Sequence, residues 1–528
     1  MFLVYLNKFK ELLKKNLLAI LITIFAFYIN KIYANLGVFP IDTFFHFDAG
    51  FNVMKGYFPI KDYWIVSGII PDLLQAFFFK IFGVSWSSHV MHASIFNSFI
   101  SLATFFLLQN IGLNKIYSFF YSVCFSILAY PISGTPFVDH HAIFLSLIGI
   151  YFFIFSIKTE KNYFWSLMMF FFAISFLSKQ VPISYIFILV SALIVFYSLL
   201  LKNIDPIKHY FFSLFLILIF IYILLIIFKI SFQDFLIQYI FYPPSIGTSR
   251  FQNIIENFSF IGLIDEFKFI FIPLSILFYL NFKRVLKNKN YLKNKNFFFF
   301  MSIFIFSGCL IFHQTITLNQ NLTYFLSIIL FAFLHNDLLQ NFKKRNKLTT
   351  LFILFAVVFI TVDIHLSYNE TRKFHELRYV DFKKSKDASV IDNKFKNLRW
   401  ITPSKKDEVS AEIEFIKETI EKLKNDPRKK MIITHYQFLS SLLNEYFFQP
   451  SRSYTLNGAS FPLKDNKFFE DYKIFFNKKV KNNNIDVIYL IDNKEINDRV
   501  VTEYLKSGCI KDTRNISGIK TFEINKNC

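Results

Sequence analysis

From Leu17 to His365 the chain alternates between apolar runs of roughly 14–22 residues and short polar segments. A helix rising about 1.5 Å per residue needs runs of about this length to cross the bilayer core. Lipid offers no partner to a free backbone amide, so each run is expected to be a helix that satisfies its own N–H and C=O groups. The pattern predicts eleven of them, at 17–36, 90–109, 115–131, 140–157, 163–178, 182–201, 210–229, 267–282, 297–313, 322–335 and 348–366. The segment 37–89 is too long for a simple connector, and its polar residues sit among aromatics and prolines; it is expected to fold against the membrane surface. Beyond 366 the patterning becomes that of a globular domain. Residues 431–434 and 485–491 read as buried strands, and 519–524 alternates as a strand does. Ile413, Ile416, Ile420 and Leu423 share one face of a helix over 409–424. The fold class predicted is mainly α: a polytopic membrane domain over 1–366, then a small α/β domain over 367–528.

Charge refines this picture. The chain carries a formal net charge of +21, which invites a nucleic-acid reading. The basic residues do not form one patch, however, as phosphate-backbone binding requires. Of the 27 Lys and Arg up to Leu366, 19 fall in alternate polar segments that the helix count places on one side. Ten of the fourteen acidic residues fall on the other side or at helix ends facing it. By the positive-inside rule the N-terminus is cytoplasmic and the C-terminal domain extracytoplasmic. The bias toward Phe, Ile, Lys and Asn suggests an AT-rich bacterial genome, and hence a bacterial inner (plasma) membrane with a periplasmic C-terminal domain. Lys8, Lys10, Lys14 and Lys15 precede the first run as in a signal peptide, but its length and the lack of a small-residue cleavage site predict an uncleaved helix. Cys124 and Cys309 lie inside apolar runs, whereas Cys509 and Cys528 lie in the outer domain, where a disulfide between them is permitted.

Candidate chemistry gathers on the predicted outer side. Asp42 and Asp48 follow the first helix, and carboxylates in apolar surroundings at a membrane boundary are candidates for a general base or a cation site. Asp139, His140 and His141 open the fourth helix, and Asp139 with His140 is a candidate for a divalent metal. Lys179 and Gln180 close the fifth helix, where a lysine also serves as a snorkelling anchor. Arg250 lies in the outer segment after the seventh helix, and His313-Gln314 and Asn319-Gln320-Asn321 lie at the outer ends of the ninth and tenth. No Gly-rich phosphate loop is present, so nucleotide chemistry has no seat in the sequence.

The stretch 42–64 resembles the first outer loop of GT-C glycosyltransferases, integral-membrane enzymes that take sugars from polyprenyl-phosphate carriers. Protein O-mannosyltransferases and lipid A aminoarabinose transferases belong to this superfamily. Its pattern is an acidic residue just after the first helix, a Gly about fourteen residues on, then an aromatic-Pro-x-x-Asp turn. Asp42, Gly56 and Tyr57-Phe58-Pro59-Ile60-Lys61-Asp62 match it. Asp42-Thr43 stands where many members have Asp-Glu, which leaves Asp42 and Asp48 both open as the base. Thr135-Pro136-Phe137-Val138-Asp139-His140-His141 is similar to the second acidic motif, and Ser178-Lys179-Gln180-Val181-Pro182 to the Lys-Gln of many relatives.

The resemblance implies an inverting transfer from a polyprenyl-phosphate sugar to a surface glycan, lipid or protein acceptor. It makes Asp42 or Asp48 the base and Lys179 and Arg250 the phosphate clamps. Asp139 would orient the acceptor or a clamp, with His140, His141 and Gln180 lining the substrate cavity. The partners implied are the lipid-linked donor, the acceptor and membrane lipids, with no nucleic acid and no cofactor beyond the candidate metal. The competing reading is a transporter or a lipid or saccharide flippase. Such proteins usually carry internal repeats and ionisable or helix-breaking residues near the bilayer midplane, and neither is evident here.

Overall fold

The computed structural model describes residues 2–257, 259–317, 322–341, 346–455, 458–491, 496–516, 518–526 and 528. It is mainly helical, with a small sheet near the C-terminus. Eight of the described helices are long and apolar enough to cross a membrane: Asn16–Ala34, Trp86–Ile111, Lys115–Ile132, Val138–Thr159, Ile183–Leu201, Asp205–Ile227, Lys295–Thr317 and Lys347–His375. Tyr163–Ser178 is a shorter apolar helix. The expected runs 267–282 and 322–335 fall on Phe260–Lys287 and Phe325–Asn341. The former bends at Phe267 and contains Pro273; the proline has no N–H to continue the ladder.

Burial separates inner from outer helices. Val138–Thr159 is apolar on all sides and buried along nearly its whole length, as expected of a central helix. It packs on Tyr163–Ser178 through Gly149, where a β-carbon would collide with the Phe172 ring. Asp205–Ile227 instead exposes Phe211, Phe212, Phe215 and Phe220, and Lys347–His375 exposes Leu351, Phe352, Phe355 and Phe359. A contiguous apolar surface of this extent is compatible with an integral membrane protein, lipid being the solvent that covers it without cost.

The first polar segment is not a plain loop. It folds into the helices Pro40–Thr43, Phe47–Met54 and Ile69–Phe82. The next helix begins at Trp86, earlier than the expected 90, because Ser85 caps it by accepting from the Ser88 N–H at 3.2 Å. The polar segment after Asp205–Ile227 is also helical, over Phe232–Phe235, Leu236–Phe241 and Tyr242–Asn257.

The C-terminal sheet has the order Lys430–Ile433, Val487–Ile491, Ile519–Ile524, Ile510–Ile516, with the first pair parallel and the others antiparallel. Its inner strand Val487–Ile491 reads as an unbroken apolar run because both faces are covered. Val409–Asn425 packs Ile413 and Ile416 with Ile432 and Val487, while Phe469–Asn482 packs Phe476 and Val480 with Met431 and Ile488. The strand Ile510–Ile516 is the exposed edge, rich in charged residues as edges commonly are. Cys509 and Cys528 form a disulfide that ties the chain end beside this edge; Cys124 and Cys309 are buried and free.

This domain packs directly on the first polar segment. Phe44 lies among Trp86, Phe395, Trp400 and Phe438, with ring centroids 4.7–6.0 Å away. Tyr57 stacks on Tyr446 at 3.6 Å, and the Lys479 ammonium donates to the Asp62 carbonyl. Burying such rings favours the docked arrangement by about 1.5–3 kcal/mol each.

Candidate functional site

A cavity of about 1280 Å³ lies where the first polar segment, several helix ends and the C-terminal domain meet. Asp42, Lys179, Gln180, Arg250 and His313 all line it. These residues sit within about one turn of a helix end or on a short surface helix. The cavity therefore collects the polar termini of apolar helices at one end of the bundle.

Asp139 lies in the first turn of Val138–Thr159 and Lys179 caps the C-terminus of Tyr163–Ser178. Each charge thus complements its own helix dipole. The two pair at 2.6 Å, and the same Asp139 oxygen receives His313 Nε2 at 3.2 Å. Asp139 is nearly buried, whereas the Lys179 side chain is 18% exposed toward the cavity. Arg250 also lines the cavity but has no hydrogen-bond or ion-pair partner among the described residues. It is a cation free to meet an anionic ligand.

Asp42 borders the cavity with no hydrogen bond to its carboxyl among the described residues. Burial, reinforced by the negative charges of Asp139 and Glu376 and opposed by Lys179, pushes its carboxyl up to about 7. That value suits a general base near neutral pH. Thr43, next in the chain, is occupied structurally: its hydroxyl accepts from the Phe39 N–H at 2.9 Å. A second carboxylate nevertheless reaches the cavity, from Glu376, whose φ of +61° is one that non-glycine residues rarely adopt.

Other expected residues are placed elsewhere. Asp48 does not border the cavity; its carboxylate accepts from the Ser440 and Ser441 N–H groups at 3.0 and 2.9 Å. It caps the start of Leu439–Leu443, so it docks the C-terminal domain instead of facing substrate. Burial pushes its carboxyl up to about 6 against the pull of those hydrogen bonds. His140 and His141 are fully buried and turned away from the cavity. His140 Nδ1 meets the Ser133 hydroxyl at 2.7 Å, while His141 bonds Tyr130 at 2.8 Å and His92 at 3.0 Å. Successive helical residues diverge by about 100°, so Asp139 turns toward Lys179 and His313 while His140 turns toward Ser133. Asp139 and His140 therefore do not converge on a metal. Among the described residues no three His, Cys, Asp or Glu side chains are grouped to hold one. Gln180 lines the cavity, but its amide donates to the Val66 and Tyr239 carbonyls, both at 2.8 Å, fixing the walls. Asn319-Gln320-Asn321 lies outside the described residues.

Two features were not anticipated from sequence. The C-terminal domain forms part of the cavity through Ser451, Arg452, Ser453, Thr455 and Ser460. Arg452 pairs with Asp72 at 2.7 Å and lies 4.2 Å over the Phe45 ring, and Asp72 also meets His46 Nδ1 at 2.6 Å. Gly68, at φ +86°, leaves room for the guanidinium; a β-carbon there would come within 2.7 Å of it. Second, an apolar groove of about 600 Å³ runs between Phe260–Lys287 and Lys295–Thr317, lined by Phe271, Phe278, Phe304 and Gly308. Phe312 lines both groove and cavity. The dense serine and threonine of 451–460 was the one sequence signal of the first feature; the groove had none, because lipid-facing and groove-facing phenylalanines look alike.

No family model matches the chain, and no curated protein matches it.

Proposed function

We propose that this chain is an integral-membrane glycosyltransferase of the GT-C type that moves a sugar from a polyprenyl-phosphate donor to a hydroxyl-bearing acceptor. The observation that carries this reading is the junction at Phe312: a cavity bearing a carboxyl and a guanidinium that have no partner among the described residues adjoins an apolar groove. An amphipathic donor fits such a junction, its phosphate in the cavity and its isoprenoid chain in the groove. The bundle has eleven transmembrane helices in this reading, Tyr163–Ser178, Phe260–Lys287 and Phe325–Asn341 completing the eight. The cavity faces the periplasm, which the loop charges and the Cys509–Cys528 disulfide both support.

In the transfer the acceptor oxygen attacks the anomeric carbon on the face opposite the phosphate. The new C–O bond forms as the bond from that carbon to the phosphate oxygen breaks. The electron pair leaves with the polyprenyl phosphate, and the acceptor proton passes to Asp42. Arg250 and Lys179 take up the charge that develops on the departing phosphate, while Asp139 and His313 hold Lys179 in place.

The test is mass spectrometry of surface glycans and lipid-linked saccharides from a deletion strain complemented with wild type or Asp42→Asn. A missing sugar restored only by wild type is expected. An unchanged glycan profile with altered uptake or lipid distribution would sink the enzyme reading in favour of a transporter.

A further inference from the structure

The groove fixes where the donor enters but leaves the acceptor unplaced, and one wall of the cavity has no part in handling the donor. That wall comes from the C-terminal domain and is built of hydroxyls. Ser460 Oγ meets Ser453 Oγ at 2.7 Å and Thr455 Oγ1 at 2.6 Å, and accepts from the Thr455 N–H at 3.2 Å. All three residues line the cavity.

The wall is held rigidly to the membrane domain. The Arg452 N–H donates to the Trp64 carbonyl at 3.2 Å, and the Trp64 N–H donates to the Pro450 carbonyl at 3.0 Å. The Arg452 side chain, 4% exposed, is clamped by Asp72. Its Nε, like the Trp64 indole Nε1, is a buried donor with no hydrogen-bond partner among the described residues. Phe45, three residues beyond Asp42, lies under that guanidinium, so the wall adjoins the base.

We propose that Ser453, Thr455 and Ser460 form the acceptor subsite, and that it takes a neutral saccharide with a free hydroxyl turned toward Asp42. This rests on the glycosyl-transfer reading above. The chemistry is that of sugar recognition: clustered hydroxyls both donate and accept, matching vicinal hydroxyls on a pyranose. Among the described residues of 451–460 the one cation, Arg452, is already paired with Asp72. The other cations lining the cavity, Lys179, Arg250 and Lys373, come from other elements, so a neutral acceptor suits this wall better than a phosphorylated or acidic one. Acceptor choice thereby resides in the C-terminal domain, and donor choice in the membrane domain.

The experiment uses the deletion strain and the full-length protein in nanodiscs. The triple variant Ser453→Ala/Thr455→Val/Ser460→Ala is expected to lower glycan restoration by about tenfold or more, from the loss of its hydrogen bonds to the acceptor. Binding of a polyprenyl monophosphate probe to the purified variant should match wild type, whereas Arg250→Ala should weaken it. Thr455→Ser, which keeps the hydroxyl, should restore the glycan fully. Full restoration by the triple variant overturns the subsite alone. Loss of polyprenyl monophosphate binding in that variant also overturns it, since the wall would then serve the donor or the fold. An unchanged glycan profile in the deletion strain removes the glycosyl-transfer reading, and the subsite with it.

Discussion

Two aspartates six positions apart do opposite work, and their neighbours explain why. Asp42 has a raised carboxyl and no hydrogen-bond partner among the described residues, whereas Asp48 is spent on two amide N–H groups of the C-terminal domain. Asp42→Asn should therefore lower transfer by about 10²–10⁴-fold with the unfolding temperature unchanged. Asp48→Ala strands two buried donors at about 1–3 kcal/mol each, so it should lower the unfolding temperature while folded protein keeps its turnover. A base must be deprotonated to act. With the Asp42 carboxyl at about 7, kcat/KM should fall as pH drops through about 7, with the slope of a single proton. A profile flat from pH 5 to 8 would remove Asp42 from the proton transfer.

At the scale of elements, the apolar helices were legible because lipid imposes one rule on every span: length, hydrophobicity and self-satisfied backbone. The short helices of 40–82 were not. Pro40–Thr43 and Phe47–Met54 take their shape from Trp400 and Phe438, more than 300 residues away, and no local period records such packing. The site divides in the same way. Asp42, Asp139, Lys179 and Arg250 were legible as charges at helix ends on one side, and they converge around one cavity and its adjoining ion pair. Asp48 is turned by Ser440 and Ser441, far along the chain, and His140 and His141 by Ser133, Tyr130 and His92; residue type and spacing alone record none of these partners. The groove offers its own test at this scale. A side chain at Gly308 would project into open space, so Gly308→Phe fills the groove with no backbone cost. It should raise KM for a polyprenyl-phosphate sugar about tenfold or more, the cost of losing roughly two buried CH₂ contacts, and leave kcat nearly unchanged.

On the scale of the whole molecule, the C-terminal domain is bound to the membrane domain through buried polar contacts, and two of them titrate. Lys479, in Phe469–Asn482, donates to the Asp62 carbonyl and to the Tyr446 hydroxyl at 2.8 Å. Burial pulls its ammonium down to about 7, with Asp62 resisting. An unfolded lysine titrates near about 10.4. Between about pH 7 and pH 10 the unfolded chain thus binds a proton at this position that the folded chain does not, and stability rises with pH across that window. Asp48 acts in a separate window: its carboxyl titrates at about 6 when folded and near about 3.9 unfolded, so its own contribution weakens as pH rises between those values and is constant above them. Thermal unfolding of the full-length protein in nanodiscs should therefore shift upward from about pH 7 to pH 9. Lys479→Met, which keeps the stem and removes the titrating group, should flatten that rise without altering the response below pH 6. If wild type and Lys479→Met rise in parallel above pH 7, the ammonium is not the group that couples docking to pH.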